Sequence, residues 1–421
     1  MAKPVPALRL AALPILLAGM AFLETQRPFS IFRLVTFVLL FLLLADVSSL
    51  LRGKLRDFLL IATSLAFGLI LIEAAGDISS PPPVLKTTQG LGAREPVLGW
   101  GPRHEGRFHA EKIDPETGRI VYNVVYTIDS NLLRETQSCA TCGTIAFFGD
   151  SFTFGEGLND PDTLPQAFAD SLDRKMRVLN LAFSGYGPQQ FLRELQTGRF
   201  DKVIGPQPKL FVFLTAPWHA QRTACKASWV LYGPRYALEN GKVVYKGQCF
   251  VGPALWAREW MEHTNVYRAY IEPYLDRLDH ADMDLYIRIL VAATQLAKEK
   301  YGVPTLIPYL RVSEAYLRPT GFTNDEIIKR LRDGGATVVD VTLAHQEAAW
   351  ISKAMAGKPN VTHGSEEAID AKLRIPGDGH PTAYANRLRA AILKDYIAQH
   401  LASVLVAKPE HAGQPHHAMR E

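Results

Sequence analysis

Several features that would disclose a function in bulk are scarce in this chain. Its 421 residues carry 46 Lys and Arg against 42 Asp and Glu. The resulting net charge of +4 is too small to suggest a polyanion-binding surface, so no nucleic-acid partner is expected. Cysteine is rare: Cys139, Cys142, Cys225 and Cys249 are all there are. No second close Cys/His pair accompanies them, which argues against a zinc framework. His416-His417 stand in a polar tail, 407–421, that reads as disordered and solvated, so no metal and no cofactor is expected. The Cys139-x-x-Cys142 spacing lacks the helix start that a redox motif uses and runs into a strand instead. An even count suits disulfides, with Cys139–Cys142 as a local bridge and Cys225–Cys249 as the favoured second pair.

Apolar runs, by contrast, are long at the N-terminus. Three precede residue 76: Leu8–Leu23, Ile31–Leu51 and Phe58–Ala75. The second and third approach the roughly 20 residues that span a bilayer. The first is short, holds Arg9 and Pro14, and reads as a span, an interfacial segment or a signal-like region. Arg52, Lys54 and Arg56 lie between the second and third runs, while Glu73 and Asp77 close the third. The positive-inside rule places that basic loop in the cytoplasm and everything after residue 76 outside it. Residues 1–76 are therefore read as a membrane anchor of two or three helices, and Pro81-Pro82-Pro83 within 77–95 as a stiff linker.

The chemistry centres on Thr144-Ile145-Ala146-Phe147-Phe148-Gly149-Asp150-Ser151. A short apolar run, long enough for one buried strand, ends in Gly-Asp-Ser. A serine at the carboxyl end of a central strand sits where open α/β sheets bind ligands. Asp150 is read as ordering that turn through its own side chain. A serine nucleophile needs a base, an orienting acid and oxyanion donors. Asp378-Gly379-His380-Pro381 supplies the first two, just before a helical periodicity on Tyr384, Leu388, Ala391, Ile392 and Tyr396, with Pro381 in the first helical turn. A second strand, Val178–Leu181, ends in Ser184-Gly185-Tyr186-Gly187-Pro188, where Gly185 could offer its N–H to a reacting carbonyl or simply make a strand-to-helix turn.

Gly-Asp-Ser, then this glycine turn, then Asp-x-His-Pro before a last helix resembles the SGNH (GDSL-type) hydrolase superfamily, over roughly residues 143–405. The resemblance implies a flavodoxin-like three-layer α/β/α domain with a mainly parallel sheet. It implies Ser151 as nucleophile, His380 as base, Asp378 as acid, and the Ser151 and Gly185 N–H groups as oxyanion donors. Two departures stand out. The asparagine expected after the third strand, Leu210–Leu214, is replaced by Thr215-Ala216-Pro217-Trp218-His219. His219 is the candidate substitute, with Gln221 and Arg222 behind it; the alternative is a loop histidine packed on Trp218. The family also usually places two residues between acid and histidine, and here Gly379 stands alone.

The remaining chain is read as a β-rich extension over 96–142, the hydrolase domain over 143–406, and an insertion over 218–283. The extension's strand Arg119–Ile128 should pair with one near Arg107–Ile113, with Ile120, Tyr122, Val124 and Tyr126 on one face. No chemistry is assigned to it. The insertion carries a hairpin at Asn240-Gly241 and the pair Trp256 and Trp260 at helical spacing, read as a packed face or as a lid for sugar rings. The expected activity is that of a membrane-anchored serine esterase outside the cytoplasm (periplasmic in a bacterium). Its substrate would be an O-acylated small molecule, envelope carbohydrate or lipid. An O-acyltransferase and a non-catalytic carbohydrate-binding module are the alternatives.

Overall fold

The computed structural model describes residues 7–25, 30–79, 85–88, 90–343 and 371–405. The triple-proline spacer and the tail with His416 and His417 lie outside the described residues. The chain divides into two units: one holds the N-terminal helices with 226–232 and 248–277, the other holds 84–225, 233–247 and 278 onward. The insertion expected at 218–283 is thus split, its Pro234–Glu239/Lys242–Gln248 hairpin falling in the second unit.

The second unit is built on five parallel strands: β1 (Thr144–Phe148), β2 (Arg177–Asn180), β3 (Pro208–Phe213), β4 (Thr305–Tyr309) and β5 (Thr337–Asp340). Their order is β2-β1-β3-β4-β5, and every pairing is parallel. This is the flavodoxin-like order, which reverses direction at β1/β3 and leaves a crevice at the strands' carboxyl ends. Alternation along each strand feeds two layers. Ile145, Phe147, Leu210 and Val212 pack with Phe168, Leu393 and Ile397 on one face. Ala146, Phe148, Phe211 and Phe213 pack with Phe191, Tyr286, Leu290 and Leu331 on the other. The helices covering the faces are Leu164–Ser171 and Ala383–His400 on the first, and Pro188–Thr197, His280–Tyr301 and Asn324–Asp333 on the second. The last helix buries Ala385, Ala390, Leu393 and Ile397, one position off the expected stripe, and leaves Tyr384 exposed.

The extension starts earlier than its sequence suggested, with strands at Leu85–Thr87 and Gly92–Glu95 inside the expected linker. Gly106–Ile113 pairs antiparallel with Ile120–Ile128 and with Leu85–Thr87. Tyr122, Val124 and Tyr126 are buried, whereas Ile120, at the turn end of its strand, is exposed. These side chains form a third core with Phe154, Leu158, Phe183, Tyr186 and Ile375, which lie outside the strands of the parallel sheet. The extension therefore walls the crevice.

In the first unit, Ser30–Leu50 and Lys54–Ser79 form an antiparallel hairpin about residues 51–53. Phe41 and Phe67 meet within it at 5.8 Å. Its windows Arg33–Leu50 and Lys54–Ile78 are long and apolar enough to cross a bilayer, and only 22% and 17% of them are covered by protein. Ala7–Thr25 contains the shorter apolar stretch Ala12–Leu23. Trp260 packs edge-on against Phe37 at 5.2 Å, so it serves the packed-face reading, while Trp256 is 56% exposed.

Candidate active site

Ser151 stands one turn beyond β1, as the first residue of a short helix, Ser151–Phe154, capped by Asp150. Asp150 Oδ1 accepts from the Phe152 N–H at 2.9 Å, the turn-ordering role expected of it. A residue in the first helical turn has an N–H that the helix does not consume, which suits Ser151 for oxyanion binding.

His380 reaches it from the far end of the chain. Its Nε2 lies 2.8 Å from Ser151 Oγ across 229 residues, and its Nδ1 is hydrogen-bonded to Asp378 Oδ2. The 375–380 loop explains how one intervening residue suffices. Asp378 and Gly379 N–H both donate to the Ile375 carbonyl, and Ile375 N–H donates to the His380 carbonyl. Gly379 sits at φ +89°, a conformation that folds the carboxylate back onto the ring two residues later. Pro381 is outside the helix, which begins at Ala383 with Thr382 as its cap; the cap needs extended backbone, and proline precedes it.

The acid has a second partner. Lys112 Nζ donates to Asp378 Oδ1 at 2.7 Å. Burial pushes the Asp378 carboxyl up, but the bonds from His380 and Lys112 outweigh it and hold it at about 2. Burial pushes the His380 imidazolium down, yet the Asp378 bond and the Glu156 charge win and raise it above its ordinary value. The ring is thus a stronger base than a free histidine.

The glycine turn lies beside the nucleophile loop, because Leu181 N–H donates to Phe147 O and Phe183 N–H to Gly149 O at 3.3 Å. Residues on either side of Gly185 are gripped. Trp100 Nε1 donates to Ser184 O at 2.9 Å, Ser184 Oγ donates to Glu156 at 2.7 Å, and Arg222 Nη1 donates to the Tyr186 carbonyl.

His219 corrects an expectation. It is fully buried, at the start of a short helix, His219–Thr223. Its Nε2 is 3.0 Å from Asp150 Oδ2 and its Nδ1 is 2.9 Å from Thr215 Oγ1, which meets Tyr286 OH at 3.0 Å. Burial and the neighbouring Arg222 charge bring it down to about 4, so it is neutral and donates Nε2–H to the carboxylate. Both ring nitrogens are spent, and none is left for an oxyanion. Arg222 completes the hub at 2.9 Å from Asp150 Oδ2. Burial would raise the Asp150 carboxyl, but Arg222 first and His219 second drive it well below the usual carboxylate range. Arg222 thereby ties the turn before Ser151 to the turn around Gly185.

Lys112, Glu156 and the role of Arg222 escaped the sequence reading. For Lys112 a signal existed: it has the same parity as buried Phe108 and Ala110, so it is a charge on the inward face of an alternating strand. Among the described residues no cluster of metal-ligating groups occurs. Cys139–Cys142 is bridged, Cys225 and Cys249 are also disulfide-bonded, and no cysteine is free.

No protein-family model and no curated protein matches the chain. Solved structures similar to it include SGNH esterases. The psychrotrophic esterase EstA from Pseudoalteromonas sp. is 12% identical, with 62% of this chain and 99% of that one covered, at a TM-score of 0.32. AlinE4, an SGNH-hydrolase family esterase, is 16% identical over 63% and 97%, at 0.27. A carbohydrate acetylesterase family member from Sinorhizobium meliloti is 14% identical over 62% and 99%, at 0.28. The functional reading is carried by the site's own geometry.

Proposed function

We propose that this protein is a membrane-anchored serine esterase of the SGNH type, acting on O-acyl esters outside the cytoplasm. The carrying observation is the Ser151 hydroxyl at 2.8 Å from His380 Nε2, with the opposite ring nitrogen held by Asp378. In this reading Ser151 Oγ attacks the ester carbonyl as its proton moves to Nε2. The carbonyl oxygen gains the displaced electron pair and is met by the Ser151 and Gly185 N–H groups. Collapse breaks the ester C–O bond, and Nε2 returns the proton to the departing alkoxide. Water, deprotonated in turn by His380, then releases the acyl group and restores the serine. Asp378 keeps Nδ1 protonated and stabilises the imidazolium; it stays ionised throughout. If a sugar hydroxyl replaces water, the same groups perform acyl transfer.

The anchor reading is supported by the two apolar helices that protein leaves largely uncovered and by the basic residues Arg52, Lys54 and Arg56 at the turn that joins them. The oxidised cysteines suit a compartment outside the cytoplasm. An acylated carbohydrate or lipid of the cell envelope is the substrate class that suits a soluble domain tethered at that surface.

The test is labelling of the full chain with a fluorophosphonate probe, together with release of p-nitrophenol from p-nitrophenyl acetate. A covalent adduct on Ser151, and a fall of at least about a thousandfold in Ser151→Ala, are expected. Equal turnover in the two proteins, or none in either across a broad ester panel, would leave the non-catalytic binding module standing.

A further inference from the structure

We infer that residues 226–232 and 248–277 form an interfacial collar, clamped to the membrane hairpin and presenting aromatic side chains to the lipid headgroup layer. The inference rests on the anchor reading proposed above and specifies a surface that the reading alone does not.

The clamp is polar, buried and specific. Glu73, fully buried on Lys54–Ser79, accepts the backbone N–H of Asn265 at 2.9 Å and of Val266 at 3.2 Å. Asn265 Nδ2 in turn donates to the Glu73 carbonyl at 3.1 Å and to Asp77 Oδ1 at 2.8 Å. Gly76 permits the approach: a Cβ there would lie 2.4 Å from Asn265 Cβ. On the other helix, Trp260 packs on Phe37 beneath the Arg33 guanidinium, 5.4 Å from the ring centroid. An unpaired carboxylate buried at Glu73 would be costly so close to hydrocarbon; the Asn265 and Val266 N–H groups supply its partners.

The contacts also fix the depth. Arg33 and Phe37 open the first apolar window, and Glu73 and Asp77 close the second. Because the helices are antiparallel, both pairs lie at the same end of the hairpin, opposite the basic loop at 52–56. The clamped segment is therefore held at the level where hydrocarbon gives way to headgroups. Here the collar exposes Trp229, Val251, Trp256, Tyr270, Tyr274 and Leu275, each more than 40% accessible. Arg277 sits 4.8 Å over the Tyr274 ring. Trp and Tyr with a flanking cation are the side chains that partition into the interfacial layer, with rings among acyl carbonyls and polar tips toward water.

The native cysteines are all disulfide-bonded, so one new cysteine in the full chain takes a thiol-reactive NBD fluorophore without background. Trp256→Cys, Tyr270→Cys and Tyr274→Cys are labelled in phosphatidylcholine vesicles, with or without lipid spin-labelled at acyl carbon 5 for these sites and near the acyl-chain end for the Leu65 control. Leu65→Cys, in the middle of the second window and 66% exposed, reports the anchor. The cysteine–NBD adduct free in buffer is the water reference. The three collar sites are expected to lose at least about half their emission to the spin label. If Leu65→Cys is quenched while the collar sites match the water reference, the collar fails and the anchor stands. If Leu65→Cys is not quenched, the anchor fails and the collar with it. Blue-shifted collar emission that the spin label leaves intact would mean burial against a protein partner, and would equally overturn the lipid assignment.

Discussion

Removing the Lys112 ammonium, in Lys112→Met, tests whether the β-rich extension takes part in the chemistry. Lys112 bonds one oxygen of Asp378 at 2.7 Å, and His380 Nδ1 bonds the other. The ammonium and the imidazolium formed in the reaction thus stand roughly 6 Å apart across one carboxylate; at an effective dielectric of about 20 their repulsion is about 3 kcal/mol, worth about two pH units. Lys112 retains 16% of its exposure, and solvent there cuts the effect to about one pH unit. The sign follows from the charges. Without the neighbouring cation, protonating His380 becomes easier, so a pKa already raised from its ordinary value climbs further. The base must be neutral to act, so the acid limb of kcat/KM should move up by about one pH unit. The plateau above it should fall by less than about tenfold, because Asp378 keeps its bond to the ring. Lys112→Arg should return the limb to its original position. A purely structural role would lower the plateau and leave the limb in place. An unmoved limb in Lys112→Met, or one displaced downward, would refute the reasoning.

Glu156 should act with the opposite sign. Its charge helps to raise His380, so Glu156→Gln should shift the acid limb downward by about half a pH unit. The same pH–rate series measures this, and a shift upward would exclude Glu156 as an electrostatic neighbour of the base. Arg222→Met leaves the Asp150 carboxylate buried without its cation, a change that typically costs about 3–5 kcal/mol and, for a chain of this size, roughly 5 °C in Tm. Adding Asp150→Asn should recover part of that loss; a single-variant Tm within about 2 °C of the parent would show that the pair does not hold the nucleophile loop.

Much of this could be read along the chain. Helix and strand differ in period, so the two-faced helices at 280–301 and 324–333 follow from local pattern, and the unbroken apolar run of β1 announces a strand buried on both faces. The Gly-Asp-Ser turn, its Asp150 cap and the loop histidine were legible for the same reason, since each depends on neighbours within a few residues. Phase errors mark where local pattern stops. Ile120 lies on the right face of its strand but at the exposed turn end, and the last helix rotates by one residue because the sheet beneath it decides which side is covered.

What only the tertiary structure decided is which side chains meet. Asp378 and Lys112 are 266 residues apart, and Ser151 and His380 are 229. They converge because all five strands run parallel, which brings their carboxyl ends to one edge, where the extension packs. His219 shows the same limit from the other side. Sequence placed it in the expected loop, but its direction was set by a buried carboxylate and a threonine hydroxyl that needed partners. Periodicity follows from bonded geometry, which the sequence carries by itself. Pairing across the fold follows from burial and charge, which exist only once the chain has closed.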